Sequence, residues 1–226
     1  MGQPANRVLQ QRLELEQHQY GDLVQGNFLD TYHNLTLKGV MGFRWVTRHC
    51  ARARLVIKLD DDVFFDTLKF IHNYWAFVIG RKRSIFCFVW SKAKVRREGK
   101  WEVEDRLFRN MTFYPYRYCN GMAVILTGDV IATLYEAAKF SPVFWVDDVY
   151  LFGVLPAIAT NITLYNVYNE VGLIGFSGKN GLECMKRGHA CSMLAAIAQG
   201  ELLETMWRMS RALHERRNWR QPFGRT

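Results

Sequence analysis

The sequence predicts an α/β fold, and three observations carry the prediction. Short apolar runs at 55–59, 85–90 and 122–127 alternate with stretches of helical periodicity. The first run ends abruptly in Asp60-Asp61-Asp62, where ligands bind in open α/β sheets, beyond the carboxyl ends of the strands. The composition is that of a globular chain: 226 residues, 49% hydrophobic and 23% charged. Strands alternating with helices imply a largely parallel sheet.

The first 20 residues, rich in Gln, Glu, Leu and Arg, read as an amphipathic helix, and Asp22 to Phe28 as a short strand and loop. From Thr31 a helix is expected. Leu37, Met41 and Trp45 recur at i+4 with Val40 beside them, and Asp30 or Thr31 is placed to cap. Leu55–Leu59 is the first strand. Leu68, Ile71, Trp75 and Val78 then mark a helix capped by Asp66 or Thr67. Ile85 to Trp90 is the second strand, followed to Arg109 by a basic loop or hairpin. Met122 to Thr127 is the third strand. Asp129 would cap a helix through Val130, Ile131, Leu134 and Ala138. Phe144-Trp-Val146 leads into Asp147-Asp148 at a helix start, with Pro156 disturbing the far end. No linker is visible. The expected organisation is one domain over residues 1–200 and an irregular basic tail over 201–226.

The net charge of +9 suits an anionic partner or a solvated surface. Without a Gly-rich phosphate loop or a nucleic-acid motif, phosphoryl transfer and nucleic-acid binding are set aside. No stretch is apolar enough to span a membrane: Val149 to Tyr168 is broken by Gly153, Pro156 and several polar residues. No signal peptide opens the chain, which implies a cytosolic protein or a missing N-terminus. The five cysteines (Cys50, Cys87, Cys119, Cys184, Cys191) form no CxxC pair. Cys87, within an apolar run, is expected to be a buried free thiol. Sequons at Asn34, Asn110 and Asn161 lean toward a secretory location.

Three consecutive carboxylates repel one another unless a cation neutralises them, and a hard divalent ion coordinates such oxygens well. The alternative is an acidic turn or cap. Asp147-Asp148 is a cap by position. Its large apolar flanks would also desolvate a carboxylate toward the pKa a general base needs. Tyr114-Pro-Tyr-Arg-Tyr-Cys-Asn-Gly121 offers either flat faces for a sugar or a packed aromatic loop.

Taken in order, the motifs carry more. Tyr20-Gly-Asp-Leu-Val-Gln-Gly-Asn-Phe-Leu-Asp-Thr-Tyr-His-Asn-Leu-Thr-Leu-Lys38 is followed by Trp45 and Lys58-Leu-Asp-Asp-Asp-Val-Phe64. Then come Tyr114 to Gly121 and Trp145-Val-Asp-Asp-Val-Tyr-Leu-Phe-Gly153. From about Tyr20 to His189 this series resembles the β-1,3-galactosyltransferase and β-1,3-N-acetylglucosaminyltransferase family, which includes the Fringe-like enzymes. The resemblance implies a GT-A type, Rossmann-like nucleotide-diphospho-sugar transferase fold, here lacking its first strand. It implies a hexosyltransferase that uses Mn²⁺ and UDP-galactose or UDP-N-acetylglucosamine, inverts the anomeric centre, and acts on the 3-hydroxyl of a glycan on glycoprotein, glycolipid or proteoglycan.

Residue by residue, Asp60-Asp61-Asp62 matches the family's DxD motif. Asp62 is expected on the metal, with Asp60 and Asp61 on the nucleotide or the metal's waters; Asp60 also counts among the metal ligands. Asp148 matches the catalytic base, and His189 the position of a metal-binding histidine. Family members are Golgi membrane proteins with a lumenal catalytic domain. Their anchor, stem and arginine-rich first strand would all precede Met1. Arg117, Asn120 and Met122 depart from the family's proline- and glycine-rich turn. The alternative is a catalytically silent relative that binds glycan or protein.

Overall fold

The computed structural model describes residues 1–167, 174–175, 178–188 and 191–215. In chain order the helices are α1 (Arg7–Tyr20), α2 (Leu35–His49), α3 (Thr67–Asn73), α4 (Trp75–Ile79), α5 (Gly128–Phe140), α6 (Asp147–Val149), α7 (Leu155–Ala159), α8 (Gly178–Lys186) and α9 (Gly200–Glu215). The strands are β1 (Leu55–Leu59), β2 (Val63–Phe65), β3 (Ser84–Cys87), β4 (Val89–Trp90), β5 (Tyr118–Cys119), β6 (Ala123–Thr127), β7 (Thr163–Asn166), β8 (Ile174–Gly175) and β9 (Ala195–Ile197). They fall into two compact units. The first comprises Met1–Arg52, Ser91–Tyr118 and Ile131–Asn161; the second comprises Ala53–Trp90, Cys119–Val130 and the described residues from Ile162 on.

In the first unit, α1 begins at Asn6, whose side chain accepts from the Val8 amide at 2.8 Å. It ends at Gly21, where φ is +67°. The helix expected from Thr31 forms as α2, but neither Asp30 nor Thr31 caps it with a side chain. Asp30 pairs instead with Lys38 at 2.8 Å. The buried positions are Thr36 and Phe43 rather than Leu37, Met41 and Trp45. Gly39 explains the shift, because a Cβ there would overlap the Leu151 side chain. The missing side chain lets Leu151 approach the helix backbone on the Thr36–Phe43 face. Thr36 also donates its hydroxyl to the Phe144 carbonyl at 2.7 Å.

Pro156 does not end its helix. A π-helical turn, Tyr150–Val154, joins α6 to α7, and the Leu155 amide reaches back to the Tyr150 carbonyl. The wider turn accommodates a ring that has no N–H to give. The stretch after Trp90 returns on itself as a hairpin, with Val95 and Tyr114 amides bonded to Thr112 and Ala93 carbonyls. Arg97 fixes its far end by donating to the carbonyls of Val103, Glu104, Leu107 and Phe108 at 2.8–3.0 Å.

The second unit is built on a sheet ordered β1-β6-β3-β7. β6 runs antiparallel to both neighbours and only β3 and β7 run parallel. The α/β class holds, but the sheet is mixed rather than largely parallel. The strand after the long hairpin enters between β1 and β3 in the opposite sense, which sequence alternation alone does not reveal. A second sheet, β2-β9-β8, separates two apolar clusters. Val63 and Phe65 join Phe70, Phe86 and Ile125. Phe64 points the other way, to Met185, Met193 and Met206, as the two-residue alternation of a strand requires.

Two further expectations are corrected here. The chain from Glu201 to Glu215 is not an irregular tail. It is α9, with Met206, Ser210 and His214 buried at i+4 intervals and Arg208 and Arg211 exposed. Arg208 and Arg211 belong to the wet face of an amphipathic helix, and the rest of the expected tail, residues 216–226, lies outside the described residues. Cys87 is not a free thiol but is bonded to Cys119, and Cys184 is bonded to Cys191; among the described residues Cys50 is the free one. Breaking Cys87–Cys119, which closes a loop of 32 residues, with a double alanine variant should cost about 2–4 kcal/mol. Urea unfolding of variant and wild type checks this, and an unchanged midpoint contradicts it.

Candidate active site

Asp60, Asp61 and Asp62 form the tight turn between β1 and β2. The backbone holds the turn at both ends. The Asp60 amide donates to the Met122 carbonyl at 3.1 Å, and the Asp62 carbonyl accepts from the Ala198 amide at 2.8 Å. The side chains differ in their surroundings. Asp60 is paired with Lys58, whose ammonium also donates to the Gly121 carbonyl. The repulsion expected within the triplet is thereby relieved at its first member from inside the chain. Asp61 is exposed. Asp62 is half-buried and accepts a hydrogen bond from Gln199 Nε2 at 3.2 Å.

Carboxylate oxygens at a solvent-facing turn have the donor chemistry of a hard divalent cation. Among the described residues, however, no three His, Cys, Asp or Glu side chains form a ready-made cage. Two or three aspartates fit a cation that keeps part of its shell for water and substrate phosphates. His189 lies outside the described residues.

Asp148 belongs to the first unit. It stands with Asp147 in the first turn of α6 and is half-buried. The neighbouring ring is Tyr118. Burial pushes its phenol pKa up, and the Asp148 charge pushes it further in the same direction. Burial also raises Tyr114, to about 12. Both tyrosines therefore stay protonated at neutral pH, which leaves a carboxylate as the better base. Gly153 lets the helical run approach Tyr118, whose Cβ would lie 2.9 Å from an added methyl.

The Tyr114–Gly121 stretch resolves as packing. Tyr114 is buried and meets Phe108, Tyr118 and Phe144 edge-on or tilted, with centroids 5.2–6.2 Å apart. A more exposed aromatic group, absent from the sequence reading, lies in the same unit. His33 stacks on Trp145 at 4.3 Å, and Trp101 Nε1 donates to the Tyr32 hydroxyl at 2.8 Å. Lys100 stands 4.6 Å from the Tyr32 ring centroid. Tyr32 and Trp101 remain 41% and 49% exposed. Their scatter over three segments hides the group; the signal available was Trp145, three residues before Asp148.

Comparisons with known proteins agree with the motif order. The family model for galactosyltransferase matches residues 1–167. Mouse β-1,3-galactosyltransferase 1 is 31% identical over 153 residues, covering 67% of this chain and 46% of that protein. Pig UDP-GalNAc:β-1,3-N-acetylgalactosaminyltransferase 1 is 33% identical over 161 residues, with the same two coverages. The chain thus spans about half the length of the curated relatives it matches. Among solved structures, a glycosyltransferase involved in glycosylation of the major capsid of PBCV-1 aligns at 11% identity with a TM-score of 0.41, covering 95% of this chain and 96% of that one. With nearly three quarters of its length matched by the family model, the chain belongs to the galactosyltransferase family.

Proposed function

We propose that this chain transfers a hexose from a UDP-sugar to the 3-hydroxyl of an acceptor glycan with inversion, in a GT-A type catalytic fold. The observation that carries the reading is the acidic turn closing β1, fixed by backbone bonds at Asp60 and Asp62 and open to solvent at Asp61. Asp62 and Asp60 would hold Mn²⁺, with His189 as a further ligand, and Asp61 would sit beside the nucleotide. When bound, the ion supplies charge neutralisation to the diphosphate. Asp148 accepts the proton of the acceptor hydroxyl as that oxygen forms its bond to the anomeric carbon and the bond to UDP breaks. The exposed rings of Tyr32 and Trp101, near Trp145, offer flat apolar faces of the kind on which a pyranose packs.

A lumenal, Golgi location is supported by the two disulfides, which persist in oxidising compartments. Exposed sequon asparagines at Asn110 and Asn161 add to this. Attachment to the membrane would need a signal-anchor; among the described residues no helix is long and apolar enough to cross a membrane. A second reading, a relative that binds without turnover, is favoured by Lys58, whose ammonium already pairs with the Asp60 carboxylate.

The test incubates the protein with UDP-galactose, UDP-N-acetylglucosamine or UDP-N-acetylgalactosamine, Mn²⁺ and a panel of glycan acceptors. UDP release that needs both metal and acceptor is expected, and Asp62→Asn should lower it at least tenfold. Donor binding without release selects the second reading; no binding at all overturns both.

A further inference from the structure

The acidic turn is held by a part of the chain that the galactosyltransferase model does not reach. That model stops at residue 167, yet the turn's third residue is gripped from residues 198 and 199. β2 pairs with β9 in the register Val63↔Ile197, which brings the following residues beside Asp62. The Ala198 amide takes the Asp62 carbonyl, and Gln199 donates Nε2–H to Asp62 Oδ2. Gly200, at φ +52°, then turns the chain sharply into α9. The middle of α9 is anchored by Trp207 against Phe64, with ring centroids 5.1 Å apart, and by Met206 in the same cluster. Gln199 is therefore set between a paired strand and a packed helix, while its own side chain is exposed.

An exposed hydrogen bond contributes little to folding, so stability does not account for this contact. Its chemistry fits another role. A carboxamide donates to a carboxylate without cancelling its charge, whereas the Lys58 ammonium neutralises Asp60. A donor on Oδ2 fixes the rotation of the Asp62 carboxylate and directs Oδ1 away from Gln199. We propose that Gln199 is a positioning residue for the acidic turn: it sets the Asp62 carboxylate in the orientation that receives the divalent cation of a sugar-nucleotide diphosphate. The inference rests on the donor-site reading above and adds a determinant from outside the family-matched region.

The test measures Mn²⁺ binding directly, by titration with detection of free Mn²⁺ by electron paramagnetic resonance, with and without UDP. Three proteins are compared: wild type, Gln199→Met, which keeps length but has no donor, and Asp62→Asn. Thermal midpoints are recorded in parallel. The expected result is Mn²⁺ binding by wild type and loss of it in Asp62→Asn. In Gln199→Met the dissociation constant should weaken about fivefold with the thermal midpoint unchanged. Binding in Gln199→Met equal to wild type overturns the role of Gln199 while leaving the donor site intact. A weakened constant that merely follows a lowered midpoint overturns it too, since that is a structural effect. Absence of Mn²⁺ binding in the wild type, with UDP present, overturns the donor-site reading and this inference with it.

Discussion

Replacing Asp148 with asparagine should lower kcat by about 10²–10⁴-fold, the range in which a positioned general base contributes. The substitution is nearly isosteric and leaves the first turn of α6 with a polar side chain, so the fold should be retained. Binding of the UDP-sugar, which we propose at Asp60, Asp61 and Asp62, should persist, so the loss should fall in kcat rather than in donor affinity. A second readout is the circular dichroism spectrum and thermal midpoint, which should match wild type and so report that the charge was removed in a folded protein. If turnover of such a folded variant stays within tenfold of wild type, Asp148 is not the base. Asp147→Asn, in the same turn, is the matched control and should have the smaller kinetic effect.

The difference between what the sequence reveals and what it conceals is one of range. Leu55–Leu59 and Ala123–Thr127 are apolar runs of five residues, and each reads correctly as a strand because the signal is contained within it. β2 is as apolar, yet its three residues read as the flank of the aspartate motif. β5, β8 and β9 have two or three residues, too few to show a period of two. The acidic turn is legible because charge placed directly after an apolar strand is a local anomaly. Its supports are not. Gln199 stands 137 positions from Asp62, and the Cys87–Cys119 pairing cannot be deduced from the spacing of five cysteines. α9 is misjudged for a physical reason of a different kind. Its arginines are prominent in the sequence, whereas its buried stripe includes Ser210 and His214, residue types that announce a surface. Direction is the other concealed quantity. A run of apolar residues fixes a strand but not its sense, so the antiparallel entry of β6 was beyond reach.

Of those two polar residues in α9, His214 meets Asp66, where the largest stability effect in the molecule is expected. This carboxylate is 1% exposed and has three tasks. Oδ1 caps α3 by accepting the Lys69 amide at 2.9 Å and also meets His214 Nε2 at 3.2 Å. Oδ2 lies 3.8 Å from the Lys69 ammonium. An ionised carboxylate only accepts, so Nε2 of His214 carries the proton in this pair. Lys69 is itself buried and donates to the Cys191 and Met193 carbonyls at 3.1 and 2.9 Å. Burial lowers its pKa, an effect that Asp66 opposes. Asp66→Ala would leave a buried ammonium with carbonyl partners but no counter-charge, and would uncap α3. The expected cost is about 3–5 kcal/mol, measured by urea unfolding. Asp66→Asn, which keeps an acceptor for the Lys69 amide, should lose less. The wild type should also weaken in acid. Burial depresses the His214 pKa below its ordinary 6.5, with Asp66 opposing and His72 and Lys69 adding to the depression. The unfolded chain thus binds this proton first, and the contribution present above pH 6.5 is lost as the pH falls from there through the folded value. Asp66→Ala removes the one group that favours the charged imidazole, so acid should destabilise that variant by more than it does the wild type. Equal stability of Asp66→Ala and wild type at pH 7 would show that the cluster does not hold α9 to α3.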